Sequence, residues 1–223
     1  SAAYQLTRTL SSIGNKQKSA RREYLAAQLY QSAGADNEAI QLFEKSIQHT
    51  SDPLMEVYAR LNIATLSAGR KDNALQDNIS ELLKMGRRDK YVDYRDIIYY
   101  AAAKLELQRK NTAVAQQLLL KSVKFSNDNP VQKQQSFLLL ADLNYDRKAY
   151  AMASRFYDSV ESSLLRENEQ KRVAARKPAL QLITGNETII AREDSLQKLA
   201  LLPAAERNAA AKKILRQFGA WLI

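Results

Sequence analysis

The 223-residue chain is 45% apolar and carries a formal charge of +10, with six glycines, four prolines, one histidine and no cysteine. This composition supplies a sizeable core and good helix formers, and leaves little for the turns of an all-β fold. It excludes thiol catalysis, disulfides and Cys/His metal centres, and no run approaches the roughly 18 apolar residues of a membrane span.

The opening residues, Ser1 to Gln5, lack the basic-then-apolar pattern of a signal peptide and read as the middle of a helix. The chain is therefore expected to be a piece of a longer protein, with a helix at about 2–13. Four segments then align: Tyr24 to Tyr30, Tyr58 to Ala64, Tyr99 to Ala103 and Phe137 to Ala141. Each carries a small residue, or Asn, followed twelve positions later by alanine: Ala27 and Ala39, Asn62 and Ala74, Ala103 and Ala115, Ala141 and Ala153. Four residues further on stand Phe43, Leu119 and Tyr157, and Asn78 in the degenerate second repeat. Small residues where two antiparallel helices cross let their axes approach, and the bulky residue one turn later fills the adjoining groove.

Punctuation between these segments agrees. Gly34 to Asn37 and Gly69 to Asp72 break hairpins, with Asp36 a candidate N-cap. Asp52-Pro53 and Asn129-Pro130 read as an N-cap followed by proline at the first helical position. The step from Ala103 to Ala141 is 38 residues, against about 34 for the repeat this pattern suggests. Either the second helices are a turn longer or the connections between repeats are looser. The step from Asn62 to Ala103 is 41 residues, and its insertion around Met85 to Lys90 is expected to be the mobile point of the array.

Beyond about residue 166 the pattern stops. Glu167 to Leu182 reads as a charged helix interrupted at Pro178, placed to cap the open end of the array. Thr184 to Glu187 reads as a break. Ile189, Ile190, Leu196, Leu199 and Leu202 define another amphipathic helix ending at Pro203. A last helix carries Ala210, Ala211, Ile214, Leu215, Phe218, Trp221 and Leu222, and either packs back on the fold or presents an apolar stripe.

The repeated wording resembles the tetratricopeptide (TPR) signature, well in repeats one, three and four and weakly in repeat two. The fold expected is all-α: a TPR-type solenoid over residues 1–166, about four repeats plus a preceding half-repeat, and capping or extension helices over 167–223. In TPR arrays the first helices line the concave surface. Projected here, the partner-binding residues are Arg21, Tyr24, Gln28 and Gln31 in repeat one, Tyr100, Lys104 and Gln108 in repeat three, and Gln135, Asp142 and Tyr145 in repeat four. Tyr24 and Tyr100 read equally well as packing between neighbouring helices. Arg21 and Lys104 against Asp142 make a mixed groove, unlike the all-basic clamp that some TPR domains use for a C-terminal carboxylate.

Some local wording is more specific. Ala20-Arg21-Arg22, Ala26 to Gly34, Asp96 to Ala101, Leu140 to Leu143, Arg192 to Ala200 and Ala205 to Ala209 together resemble the PorW/SprE-like TPR lipoproteins of the Bacteroidota type IX secretion and gliding machinery. That likeness implies a periplasmic protein, anchored at the outer membrane by a lipidated N-terminal cysteine outside this chain, whose partners are other subunits of the machinery. A cytosolic TPR adaptor is the alternative.

Basic clusters at Arg21-Arg22, Arg87-Arg88, Arg109-Lys110, Lys171-Arg172, Arg176-Lys177 and Lys212-Lys213 are scattered among carboxylates. This favours solvated faces or an acidic protein partner over a phosphate-tracking stripe. His49 reads as a surface or capping residue, and Glu193-Asp194 are about 100° apart on a helix and form no carboxylate pair. No phosphate loop or metal motif is present, so no catalytic residue, cofactor, metal or small-molecule substrate is expected.

Overall fold

The computed structural model describes residues 15–67 and 72–219, with the backbone alone at 72–74, 214–215 and 217–219. Ten α-helices are described and no strand among these residues. They are α1 (Lys16–Ser32), α2 (Asp36–His49), α3 (Pro53–Ser67), α4 (Asp72–Met85), α5 (Arg95–Gln108), α6 (Thr112–Phe125), α7 (Pro130–Asp146), α8 (Tyr150–Asp158), α9 (Glu167–Ala200) and α10 (Ala204–Gly219). Two 3₁₀ helices, Asp89–Tyr94 and Ser162–Leu164, complete the order. Each helix packs on its neighbours in sequence, and α3, α5 and α7 also touch one another in succession. The expected helix at 2–13 and the Gly69 to Lys71 break lie outside the described residues.

The pairs close through alanine. Ala27, Ala39, Ala103, Ala115, Ala141 and Ala153 are all fully buried, as are the bulky Phe43, Leu119 and Tyr157 one turn beyond. In the second pair Asn62 and Asn78 are only half-buried, and a cleft of about 320 Å³ stays open beside Asn78, Ile47 and Ile63. Replacing a bulky apolar side chain by an amide at that position removes the atoms that would fill it.

Three hairpin turns are built alike. Seven residues after Ala27, Ala103 and Ala141 stand Gly34, Lys110 and Lys148, with φ of 74°, 60° and 60°. In each turn the next amide reaches back to the third-last helical carbonyl: Ala35 to Tyr30, Asn111 to Glu106 and Ala149 to Asn144, all at 2.9 Å. This is the Schellman cap, whose left-handed residue is ordinarily glycine. Lysine there carries a Cβ in a strained region, so Lys148→Gly is expected to raise stability by about 0.5–1 kcal/mol in urea unfolding.

Helix starts follow the expected caps at two places and depart at one. Asp52 Oδ1 accepts from Leu54 N at 2.9 Å, and Asn129 Oδ1 from Gln132 N at 3.2 Å, each with proline at the first helical position. Asp36, expected as an N-cap, is instead the first residue of α2, with Ala35 at the cap. The helix begins one residue earlier than expected, directly after the Schellman turn.

The extra residues of the 38-residue step are not in the second helix. Helices α2, α4 and α6 are each 14 residues long. The connection 126–129 is one residue longer than 50–52, and α7 starts earlier relative to its small position than α3 does. The insertion after Met85 is also not a loose loop. Tyr91, at 2% exposure, plugs the middle core, and its hydroxyl donates to Glu56 Oε2 at 2.8 Å. Lys90 Nζ meets the same carboxylate at 2.9 Å, Arg60 its other oxygen at 3.2 Å, and Arg95 Nε donates to the Gly86 carbonyl at 2.8 Å. A charged, glycine-bearing stretch is thus folded into 3₁₀ structure by one aromatic anchor and one buried carboxylate.

The C-terminal region differs most from expectation. Pro178 does not interrupt the helix and Thr184 to Glu187 is not a break, since α9 runs unbroken for 34 residues. Proline removes one backbone donor, but Pro178 and Ala174 are both exposed, so the freed carbonyl is not left in an apolar core. Thr184 and Thr188 bond back to the Leu180 and Thr184 carbonyls at 2.9 and 2.8 Å within the continuous helix on either side of Gly185. The described side chains of α10 are exposed apart from half-buried Ala210 and Ala211, so this part of the last helix does not pack back on the body. Trp221 and Leu222 lie outside the described residues.

One buried charge works against stability. Asp96, 1% exposed at the start of α5, is held by weak hydrogen bonds and by no ion pair among the described residues; the Ser126 hydroxyl donates to its Oδ2 at a long 3.4 Å. Burial pushes its pKa above the ordinary 3.8, outweighing the Ile97 N–H, the Asn129 amide and the Ser126 hydroxyl. A carboxyl whose folded pKa is raised contributes stability below its unfolded value and loses it as pH rises through the folded value. Asp96→Asn is therefore expected to stabilise the protein by about 1 kcal/mol at pH 7, and the gain should vanish near pH 3. Thermal unfolding at both pH values checks it.

Candidate protein-binding surface

The first helices α1, α5 and α7 carry the ten residues expected to face a partner, and the structure places them in three settings. Arg21 and Gln28 on α1, with Lys104 and Gln108 on α5, are exposed, and Gln31 is half-buried. These form a polar face of long side chains, able to hydrogen-bond and to carry positive charge.

Tyr24 and Tyr100 are half-buried and serve packing. Tyr24 meets Phe43 edge-on with ring centroids 5.3 Å apart, and its hydroxyl accepts the Asn62 amide at 3.4 Å. Tyr100 packs on the middle core, and Lys104 Nζ lies 6.0 Å from its ring centroid. Burial pushes both phenols above their ordinary pKa of 10.0, so both remain neutral at physiological pH.

Gln135, Asp142 and Tyr145 on α7 are occupied by the chain itself. Asp142 accepts ion pairs from Arg172 at 2.9 Å and Arg176 at 2.8 Å, both on α9. Arg176 also lies 4.2 Å from the Tyr145 ring centroid, a cation–π contact, and donates to the Tyr157 hydroxyl at 2.9 Å. Tyr157 donates in turn to Asp142 Oδ1, and Gln135 Nε2 donates to Glu169 Oε2 at 3.0 Å. Burial first, then the hydrogen bond to Asp142, push the Tyr157 phenol up to about 12, which keeps its proton in place as donor. A partner meets this third of the face only by displacing α9 or by binding α9 with it.

Sequence reasoning missed Glu169, Arg172 and Arg176 as the counterparts of α7. The signal was present: spacings of three and four put all three on one side of a helix. No family model and no curated protein matches the chain. His49 bridges helices, its Nδ1 2.8 Å from Oε2 of Glu23, which is buried at 5% exposure on α1. Among the described residues no group of three or more His, Asp or Glu gathers to hold a metal ion. No helix of the described residues is long and apolar enough to cross a membrane. What the surface offers is hydrogen bonding, charge and aromatic area along successive helices.

Proposed function

We propose that the chain is a TPR-type solenoid acting as a protein-binding scaffold in a type IX secretion and gliding-motility complex. Its setting is the periplasm, at the outer membrane, with the lipid anchor supplied by a longer protein. The TPR reading is supported by the Schellman turn recurring seven residues after the small position in three pairs, and by contact between successive first helices. The secretion setting is supported by the local wording of Ala20 to Arg22, Ala26 to Gly34, Asp96 to Ala101, Leu140 to Leu143, Arg192 to Ala200 and Ala205 to Ala209.

The observation that carries protein binding is the reversal of apolar faces along α9. Its first half buries Val173 and Leu180 against the α7–α8 core. At 100° per residue, Leu182, Ile189 and Leu196 point to roughly the opposite side. They stand 70%, 58% and 47% exposed, with Ile190 at 60%. The first half of α9 is docked by the other face, so the second stripe stays in solvent, where an apolar row of this kind suits another molecule.

Pull-down of the full-length protein from a Bacteroidota envelope is expected to recover outer-membrane and periplasmic secretion components. A Leu182→Lys/Ile189→Lys variant is expected to lose them with its thermal stability intact. Recovery of cytosolic proteins alone overturns the reading.

A further inference from the structure

Two cavities of about 190 and 220 Å³ on the α4–α6 side share Leu83 and Arg87, and so form one groove. Leu83 with Val114 and Leu118 of α6 makes its apolar wall, and Tyr99 reaches it from α5. Lys84, Arg87 and Lys121 supply its charge, and among the described residues no carboxylate lines either half. Lys84 pairs with Glu81 at 2.8 Å, whereas Arg87 and Lys121 make no ion pair among the described residues. Lys121 Nζ rests instead 5.7 Å from the centroid of the Tyr99 ring. The hydroxyl end of Tyr99 lies against Gly86, so the insertion after Met85 delivers Arg87 beside it. Tyr99 is also stacked on Phe125, with centroids 5.6 Å apart, which fixes the ring that meets Lys121. The neighbouring cleft beside Asn78 differs, since Glu44 and Glu81 line it together with Arg60. The purely positive lining therefore belongs to this groove and is not the charge of +10 spread evenly.

We infer that this groove binds an acidic segment of a partner polypeptide, with a glutamate or aspartate carboxylate between Arg87 and Lys121. The guanidinium presents paired donors that match a carboxylate, and the ammonium adds a second positive charge. Such complementarity selects the partner by sign and steers its approach. Leu83, Val114 and Leu118 give the apolar side chains flanking that carboxylate a surface to cover, as the core of a protein interface requires. A nucleic-acid strand calls for aromatic faces on which bases stack, and the Tyr99 ring is already taken by Phe125 and Lys121. The inference rests on the protein-binding reading for its class of partner. The groove shares no residue with the ten first-helix residues or with the α9 stripe, so the two readings fail separately.

The probe is the peptide Ac-Leu-Glu-Val-Glu-Leu-NH₂, titrated into ¹⁵N-labelled protein at about 0.15 M salt, beside the same peptide with glutamine in place of glutamate. Saturable amide shifts are expected within 83–88 and 114–121, with the glutamate peptide at least about tenfold tighter. Arg87→Gln/Lys121→Gln should weaken that peptide about tenfold. Lys212→Gln/Lys213→Gln removes the same charge from α10 and should leave the affinity within about twofold, which separates this groove from attraction by net charge. All four side chains are exposed, so both variants should keep the thermal unfolding of the parent. Equal affinity for the two peptides, equal weakening by the two double variants, or tighter binding of a short single-stranded DNA at the same amides overturns the inference.

Discussion

Tyr91→Ala is expected to lower stability by about 3–5 kcal/mol, the range for deleting a buried aromatic ring. The ring is 2% exposed and packs with Val57, Ile98 and Leu105 in the middle core, so its removal leaves a cavity between the second and third helix pairs. Its hydroxyl is also a donor to Glu56, itself 8% exposed. Tyr91→Phe separates the two contributions and should cost about 1.5–3 kcal/mol, the value of a hydrogen bond to a charged group. The pH dependence follows from Glu56. Burial pushes its carboxyl up, but donation by Lys90, Tyr91 and Arg60 overcomes this and holds it below the ordinary 4.5. With the folded pKa below the unfolded one, its contribution is full above about 4.5 and lost as pH falls through the folded value. The loss in Tyr91→Phe should therefore shrink between pH 7 and pH 3 in urea unfolding, whereas the cavity part of Tyr91→Ala should persist. Equal losses in the two variants would mean that the ring contributes nothing by packing.

The helix pairs were legible because their requirements are local and repeated. Ala27 with Ala39, Ala103 with Ala115 and Ala141 with Ala153 are fully buried, each pair in one core cluster, where small residues let two helices approach. Pro53 and Pro130 mark helix starts for a covalent reason. The 3₁₀ plug was not legible, because it depends on Glu56 meeting Tyr91 35 positions away. The hairpin turns at Lys110 and Lys148 were hidden by residue type: their backbones repeat Gly34, but lysine is no signal for a left-handed turn. The unbroken α9 misled in the opposite way. Pro178 and Gly185 are strong breakers on average, yet both are exposed, so neither meets a packing requirement that would turn a local cost into a stop. Of the surface projected from the TPR resemblance, Arg21, Gln28, Lys104 and Gln108 do stand in solvent, but the projection could not reveal that Gln135, Asp142 and Tyr145 are met by α9, which arrives from more than 20 residues downstream.

Arg176→Ala is expected to cost about 2–3 kcal/mol, less than a fully buried ion pair because the side chain keeps 26% of its exposure. Three contacts end at this one guanidinium: the Asp142 carboxylate, the Tyr157 hydroxyl and the face of Tyr145. Alanine leaves Asp142 with Arg172 and the Tyr157 hydroxyl, and Tyr145 without its cation. Arg176→Lys keeps the charge but neither the planar fork nor the stacking, and should recover less than half of the loss. A double-mutant cycle with Tyr145→Leu should show coupling of about 1 kcal/mol, which isolates the cation–π part from the ion pair. Because α9 holds the array by its first half, hydrogen exchange should quicken at Val173 and Leu180 while amides of α1 and α2 keep their protection. Faster exchange throughout would instead mean that α9 and the array unfold as one cooperative unit. Protection lost in α9 alone would mean that the α7 face can be uncovered without melting the helices beneath it, as a partner competing for Gln135 and Asp142 requires.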